Sequence, residues 1–264
     1  MFIAVDVGNT QTAIGLYESA QTSEARAMWR VATDARDTAD ELRAQLAMLF
    51  AMDGIEAASL DGAAVASVVP RMGASWGKAL SCAGCAMVVS CTAETAGHLF
   101  QTDYPNPSEI GADRVADAIA VRALYGSPAV VVDFGTATNI EVIDKQGRFV
   151  GGIIAPGVET SASALFSHAT KIATVGLADP GAAIGRSTEQ AVLSGVVYGE
   201  AERVDGLVRR VFEQLGYRAP VIATGGLAET MAGYSREITE TNPELTLEGL
   251  RLLFAARERE SALQ

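Results

Sequence analysis

Phe2-Ile3-Ala4-Val5-Asp6-Val7-Gly8-Asn9-Thr10 and Val130-Val131-Val132-Asp133-Phe134-Gly135-Thr136 follow one pattern: a short apolar run, an Asp, one residue, a Gly, and a Thr one or two residues on. Each run has the length and unbroken apolarity of a buried strand, and the Asp-x-Gly that ends it reads as a turn. After each turn a second strand begins, at residues 12–17 and again at residues 140–143. A strand-rich unit met twice in one chain implies internal duplication: an α/β protein of two similar lobes, each a mixed sheet flanked by helices.

Outward from the first copy, residues 29–33 read as a third strand. Thr38-Ala39-Asp40-Glu41 then fits a capping box, with Thr38 as N-cap and Glu41 reaching back. Leu42, Leu46, Leu49 and Phe50 follow at i, i+4, i+7 and i+8, one apolar helical stripe. Residues 62–70 read as a buried strand stopped by Pro70, and residues 87–89 as another short one. Residues 111–125 have helical periodicity, with Ala116, Ile119, Ala120 and Ala123 on one face. Beyond the second copy, Gly151-Gly152-Ile153-Ile154-Ala155-Pro156-Gly157 reads as a Gly/Pro-rich turn around a short strand. Residues 192–215 read as a long helix, and residues 221–224 as a strand running into Gly225-Gly226. Leu245-Thr246-Leu247-Glu248-Gly249-Leu250 opens a last helix. No Pro/Ser-rich linker separates the copies. The expected division falls near the helix that starts at Asp113, giving lobes of residues 1–116 and 117–264.

The chain has 264 residues, 49% of them hydrophobic and 20% charged, with a net charge of -12. That balance is a globular one. So acidic a chain has no basic footprint for nucleic acid or an anionic membrane, and neither is expected as a partner. No apolar run is long enough to cross a bilayer. Met1-Phe2-Ile3-Ala4-Val5-Asp6 has no basic residues before its apolar run and meets an acid at once, unlike a secretory signal. The expected location is the cytoplasm. Of the three cysteines, Cys82 and Cys85 form a lone C-x-x-C. Zinc needs four ligands, and only Cys91 and His98 stand near. Three small buried residues in a reducing compartment are the better account. His98 and His168 have no ligand or triad spacing.

The chemistry gathers at the turns. A strand-end Asp followed by Gly can hold a hydrated magnesium ion beside a phosphate. Gly8 lets backbone approach closely, and turn N–H groups with Asn9 and Thr10 can donate to phosphate oxygens. An ordinary hairpin explains one such turn equally well. Asp133, Gly135 and Thr136 repeat it, and two strand-end carboxylates converging on one cleft suit phosphoryl transfer. Asp113-Arg114 at a helix start reads either as a simple N-terminal charge preference or as a catalytic base with an adjacent cation. Spacing does not choose between them. Gly225-Gly226 could back a flat base, or be a plain turn.

Taken together these pieces resemble type III pantothenate kinase. The matching segments are Asp6-Val7-Gly8-Asn9-Thr10, Ser67-Val68-Val69-Pro70, Tyr104-Pro105-Asn106-Pro107, Gly111-Ala112-Asp113-Arg114 and Asp133-Phe134-Gly135-Thr136-Ala137-Thr138. The 151–157 stretch, Ile184-Gly185-Arg186-Ser187-Thr188, Ala223-Thr224-Gly225-Gly226 and the 245–250 segment complete the set, in family order over nearly the whole chain. The resemblance implies a duplicated ribonuclease-H-like, actin-like ATPase fold. It implies ATP-dependent phosphorylation of pantothenate, the first step of coenzyme A biosynthesis. It makes Asp113 the proton acceptor, and Tyr104, Gly111, Ala112, Asp113, Arg114 and Thr188 the pantothenate contacts. Asp6, Val7, Gly8, Asn9, Thr10, Gln11, Thr12, Ala13 and Thr136 become the ATP site, with Asp6 holding magnesium through water. Asp133 becomes the ligand of a monovalent cation, potassium or ammonium. The resemblance also implies a homodimer. Two departures stand out: Asn139 where the family usually has Thr, and Lys171-Ile172 where Leu-Pro is common. Two other readings belong to this fold: a non-catalytic transcriptional accessory factor, and another kinase or phosphohydrolase.

Overall fold

A computed structural model describes residues 1–55, 60–168 and 178–262. Strands β1 (Phe2–Val7), β2 (Gln11–Tyr17) and β3 (Ala25–Ala32) form an antiparallel meander, followed by α1 (Ala39–Met52). β4 (Gly62–Ser67), α2 (Pro70–Cys82) and β5 (Met87–Ser90) then add two strands parallel to β1. The short α3 (Ala93–Ala96) and the helix α4 (Ala112–Leu124) follow. The second copy begins with β6 (Ala129–Phe134), β7 (Ala137–Ile143) and β8 (Phe149–Pro156), again antiparallel. Helices α5 (Val158–His168) and α6 (Thr188–Leu215) lead to β9 (Val221–Thr224), α7 (Ala228–Ala232), β10 (Glu240–Thr241) and α8 (Leu245–Ala262). The two sheets have orders β3-β2-β1-β4-β5 and β8-β7-β6-β9-β10, with the same parallel and antiparallel pairings in the same places. The duplication inferred from the two Asp-x-Gly turns is therefore a duplication of whole sheets.

The chain divides into two compact units, Met1–Tyr125 with Leu245–Gln264, and Gly126–Glu244. The division expected at 116/117 falls inside α4, whose buried side runs on through Val121. The last helix also joins the first unit rather than the second. The reason is local: Gly249 lies against Ala116, where a Cβ would come 2.0 Å from the Ala116 carbonyl oxygen. Thr246 Oγ1 donates to Asp117 at 2.7 Å, and Phe254 stacks on Phe2 with ring centroids 4.8 Å apart.

In the first unit Ile3, Val5 and Val7 leave β1 on one face and meet Leu42, Leu46 and Phe50 of α1 and Met72, Trp76 and Leu80 of α2. Phe2 leaves on the other face, toward α8. The strand period of two therefore sends Asp6 to the α8 side. In the second unit Val130, Val132 and Phe134 of β6 pack with Val204, Val208 and Phe212 of α6 and Met231 of α7.

Several local expectations hold. Thr38 Oγ1 accepts from the Glu41 N–H, and the Glu41 carboxylate accepts from the Thr38 N–H, the capping box in full. Others are corrected. Pro70 does not stop β4, which ends at Ser67. It opens α2, where its missing N–H has no helical partner to lose. The short strand expected within residues 151–157 is longer than its Gly/Pro-rich setting suggests, β8 running from Phe149 to Pro156, and α6 starts four residues earlier than its apolar periodicity, capped by Ser187. Lys171-Ile172 lies outside the described residues. Among the described residues no helix is long and apolar enough to cross a membrane.

Candidate active site

The first unit gathers its expected site residues at the C-terminal ends of β1 and β4. The Gly8 N–H donates to the Gln11 carbonyl at 3.0 Å, closing a tight hairpin. A Cβ on Gly8 would sit 2.9 Å from that same oxygen, so glycine is needed for the closure. Asn9, Thr10 and Gln11 stand exposed at the tip. Thr12 does not: it is buried, and its hydroxyl bonds Thr33 Oγ1 at 2.9 Å. Ala13 pairs in register with Asp6.

Beside this turn the Val68 N–H donates to the Val7 carbonyl at 3.1 Å, and Val68 also packs near Gly111. Gly111 and Ala112 begin α4, which presents Asp113 in its first turn. A Cβ on Gly111 would lie 2.5 Å from Asp113 Oδ1, so this glycine makes room for the carboxylate. That oxygen accepts from the Arg114 N–H at 2.8 Å. Burial pushes the Asp113 carboxyl up from the ordinary aspartate value, against the downward pull of the Arg114 N–H and guanidinium. Arg114 is itself buried.

Three carboxylates act electrostatically on the buried Cys91. Its thiol is pushed strongly up, first by burial and then by the negative charges of Asp113, Asp117 and Asp6. Cys91 Sγ donates to the Ala112 carbonyl at 3.4 Å. Asp117 and Cys91 are members of this cluster that the sequence reading did not single out. Asp117 had a signal, since it lies four residues after Asp113 on the same helix face. Cys91 had none. Cys85 is buried too, its thiol pushed up to about 11 by that burial, but Cys82 is exposed, so only two of the three cysteines are buried as expected. Tyr104 sits, 36% exposed, on the loop that leads to α4, with its N–H held by Thr102 Oγ1 at 3.0 Å.

The second unit builds the repeated turn. Asp133 is the penultimate residue of β6, and the Gly135 N–H donates to the Ala137 carbonyl at 3.0 Å. Thr136 is exposed, while its carbonyl accepts from the Gly157 N–H at 3.0 Å and from Thr160 Oγ1 at 2.6 Å. A Cβ on Gly157 would come 2.3 Å from the Gly135 carbonyl oxygen. Gly225 has φ +87, and a Cβ there would come 2.4 Å from Asp133 Oδ1. The two later glycine motifs are thus backbone supports of the Asp133 turn. Thr188 is the first residue of α6 and lines a groove of about 670 Å³ with Ser161, Leu165, Gly195 and Arg203. Asn139, the departure from the family pattern, pairs in register with Asp133.

The residues suit the cations a nucleotide brings. Among the described residues no three His, Cys, Asp or Glu side chains are grouped to hold a metal by themselves. Magnesium ordinarily keeps several waters and takes one or two carboxylates plus phosphate oxygens, which is what Asp6 beside an open turn offers. In the second unit the buried Thr224 Oγ1 has no hydrogen-bond partner, on the strand next to Asp133. An orphan oxygen beside a carboxylate fits a bound cation.

Duplicated sheets, each ending its first strand in an Asp-x-Gly turn, define the actin-like class of nucleotide-binding folds. Solved structures agree on that fold. A Campylobacter jejuni protein classed with the Baf family of transcriptional activators has a TM-score of 0.61 at 17% identity, over 97% of this chain and 99% of its own. The activator of 2-hydroxyisocaproyl-CoA dehydratase from Clostridium difficile has a TM-score of 0.59 at 12% identity, over 100% and 98%. Sequence narrows the class. The family model for type III pantothenate kinase matches residues 2–210. A type III pantothenate kinase of Acidothermus cellulolyticus is 42% identical over 260 residues, covering 96% of this chain and 98% of the relative. That of Desulfosudis oleivorans is 39% identical, covering 98% and 100%. The chain belongs to the type III pantothenate kinase family.

Proposed function

We propose that this chain phosphorylates pantothenate with ATP, the first committed chemistry of coenzyme A biosynthesis, and does so in the cytoplasm as a homodimer. The observation that carries the reading is Asp113: a partly desolvated carboxylate at a helix start, in the same acid cluster as the strand-end Asp6. A carboxyl pushed up toward the working pH is a better proton acceptor than an ordinary aspartate.

In this reading Gly111, Ala112, Arg114, Tyr104 and Thr188 hold pantothenate so that its hydroxyl meets Asp113. The hydroxyl proton passes to the Asp113 carboxylate as the oxygen bonds to the γ-phosphorus, and the bond from that phosphorus to the β–γ bridging oxygen breaks, releasing ADP. Such a transfer depends chiefly on position and on charge stabilisation. The Asp6 turn, from Val7 through Ala13, and Thr136 hold the phosphates, with Asn9, Thr10 and backbone N–H groups as donors. A divalent ion, when bound, offsets the charge of the β- and γ-phosphates, and Asp6 holds it through water. Asp133 holds a monovalent cation, potassium or ammonium. The net charge of -12 gives these cations a reason, since acid and triphosphate repel.

The accessory-factor reading leaves the desolvated Asp113 without a task. A different acceptor on the same fold would have no use for Tyr104 and the Gly111-Ala112-Asp113-Arg114 start. The test is ADP release with a panel of acceptors. Release that depends on pantothenate supports the reading; release that depends on a sugar, or on water alone, refutes it.

A further inference from the structure

Thr224 ends β9 with its side chain 1% exposed, and its Oγ1 has no hydrogen-bond partner. A buried hydroxyl left unsatisfied is destabilising. A native structure that keeps one usually reserves it for a water or an ion.

Its surroundings narrow the choice. Thr224 is the register partner of Asp133 across the parallel pair β9–β6, and Asn139 is the register partner of Asp133 across the antiparallel pair β6–β7. Register partners leave a sheet on the same face. Asn139, Asp133 and Thr224 therefore form one polar row across three strands. The row lies on the face opposite Val132, Phe134, Ile140 and Ala223, which pack with α6 and α7. Asn139 is 9% exposed, so the row is sheltered at both ends. Gly225, the residue after Thr224, brings its backbone so close that a Cβ would lie 2.4 Å from Asp133 Oδ1. The carboxylate thus leans over the end of β9, where Thr224 stands.

One carboxylate flanked by neutral oxygens suits a singly charged, weakly hydrated cation, which trades its water shell for neutral oxygens. An ammonium ion would use the same oxygens as hydrogen-bond acceptors. A small divalent ion would instead keep its water. We propose that the Thr224 hydroxyl is a ligand of the monovalent cation held by Asp133, an inference that rests on the cation role given to Asp133 above.

The test is thermal melting of the full chain with magnesium and ADP, in potassium chloride and in tetramethylammonium chloride at equal ionic strength. Wild type is expected to melt higher in potassium. Thr224→Val keeps the shape and removes the hydroxyl. It is expected to melt no lower than wild type in tetramethylammonium, because an unsatisfied group is gone. The potassium concentration that gives half the upward shift should rise about tenfold, the effect of one lost ligand bond. Thr224→Ser should keep most of the shift. A Thr224→Val protein with the full potassium shift, or one that melts equally lower in both salts, overturns the proposal. Asp133→Asn separates the two levels. If Asp133→Asn abolishes a shift that Thr224→Val retains, Thr224 alone is wrong. If wild type has no potassium shift, the cation role of Asp133 falls with it.

Discussion

At the scale of one residue, the largely buried Asp113 carboxyl carries a cost in stability. Burial raises its carboxyl above the ordinary aspartate value. The folded protein therefore keeps this proton to a higher pH than the unfolded chain does. Where the folded state binds more protons, stability falls as pH rises. The contribution is intact below the unfolded value, about pH 4, and is lost as pH climbs through the folded one. Asp113→Asn should consequently melt higher than wild type at neutral pH, with the gap closing in acid, while kcat drops about 10²–10⁴-fold. A variant less stable than wild type at every pH would make Asp113 a structural residue. Gly225→Ala is the complementary case: with φ +87 and a Cβ 2.4 Å from Asp133 Oδ1, it should lose about 1–3 kcal/mol in urea unfolding. Stability unchanged within error would contradict the close approach. Asp6 and Asp133 stood out in the sequence because each closes an apolar run just before a Gly, whereas Asp113 was marked only as an acid at a helix start until the family resemblance gave it a role. Cys91 and the Thr224 hydroxyl did not stand out, because their significance comes from burial, which only tertiary packing creates.

Among the elements, α6 is tied to the second turn by side chains that periodicity does not report. Glu200, 4% exposed on α6, accepts from Thr138 Oγ1 at 2.6 Å and pairs with Arg203, which also donates to the Pro156 carbonyl. Thr138 is the second residue of β7, two after Thr136, and Pro156 precedes Gly157, so both ties end at the Asp133 turn. Glu200→Ala leaves the Thr138 hydroxyl unsatisfied. It should cost about 1–3 kcal/mol by urea unfolding, with little of that from the pair itself, since Arg203 is 30% exposed. Thr38→Ala, which removes the cap of α1, should cost about 1 kcal/mol. Equal effects of zero in both would refute these assignments. Elements with strong local signals, such as α1 with its capping box and β1 with its apolar run, were readable in advance. The strand β8 was expected too short because Gly151-Gly152 reads as turn chemistry, and Gly151 does take φ +129 inside the strand. Gly157, just past its end, makes room for the Gly135 carbonyl.

For the molecule as a whole, two Asp-x-Gly turns were enough to expose the duplication, which the matching sheet orders then display strand for strand. The division of the chain was less legible. Sequence order suggests two consecutive halves, yet α8 returns to the first unit through Thr246, Gly249 and Phe254. A long-range docking of this kind leaves only a small-residue gap and a hydroxyl in the sequence as traces. The homodimer belongs to this scale too. Sedimentation equilibrium at micromolar concentration should give twice the chain mass of 27.5 kDa, and a monomer there would remove the dimer from the account. The central claim is the transfer to pantothenate with Asp113 as proton acceptor. Its most direct test is ADP release by wild type and Asp113→Asn, each with ATP, magnesium and potassium, with and without pantothenate. Wild-type release is expected to require pantothenate, and the folded Asn variant is expected nearly to lack it. Release indifferent to pantothenate, or an Asn variant with most of the activity, would contradict that claim.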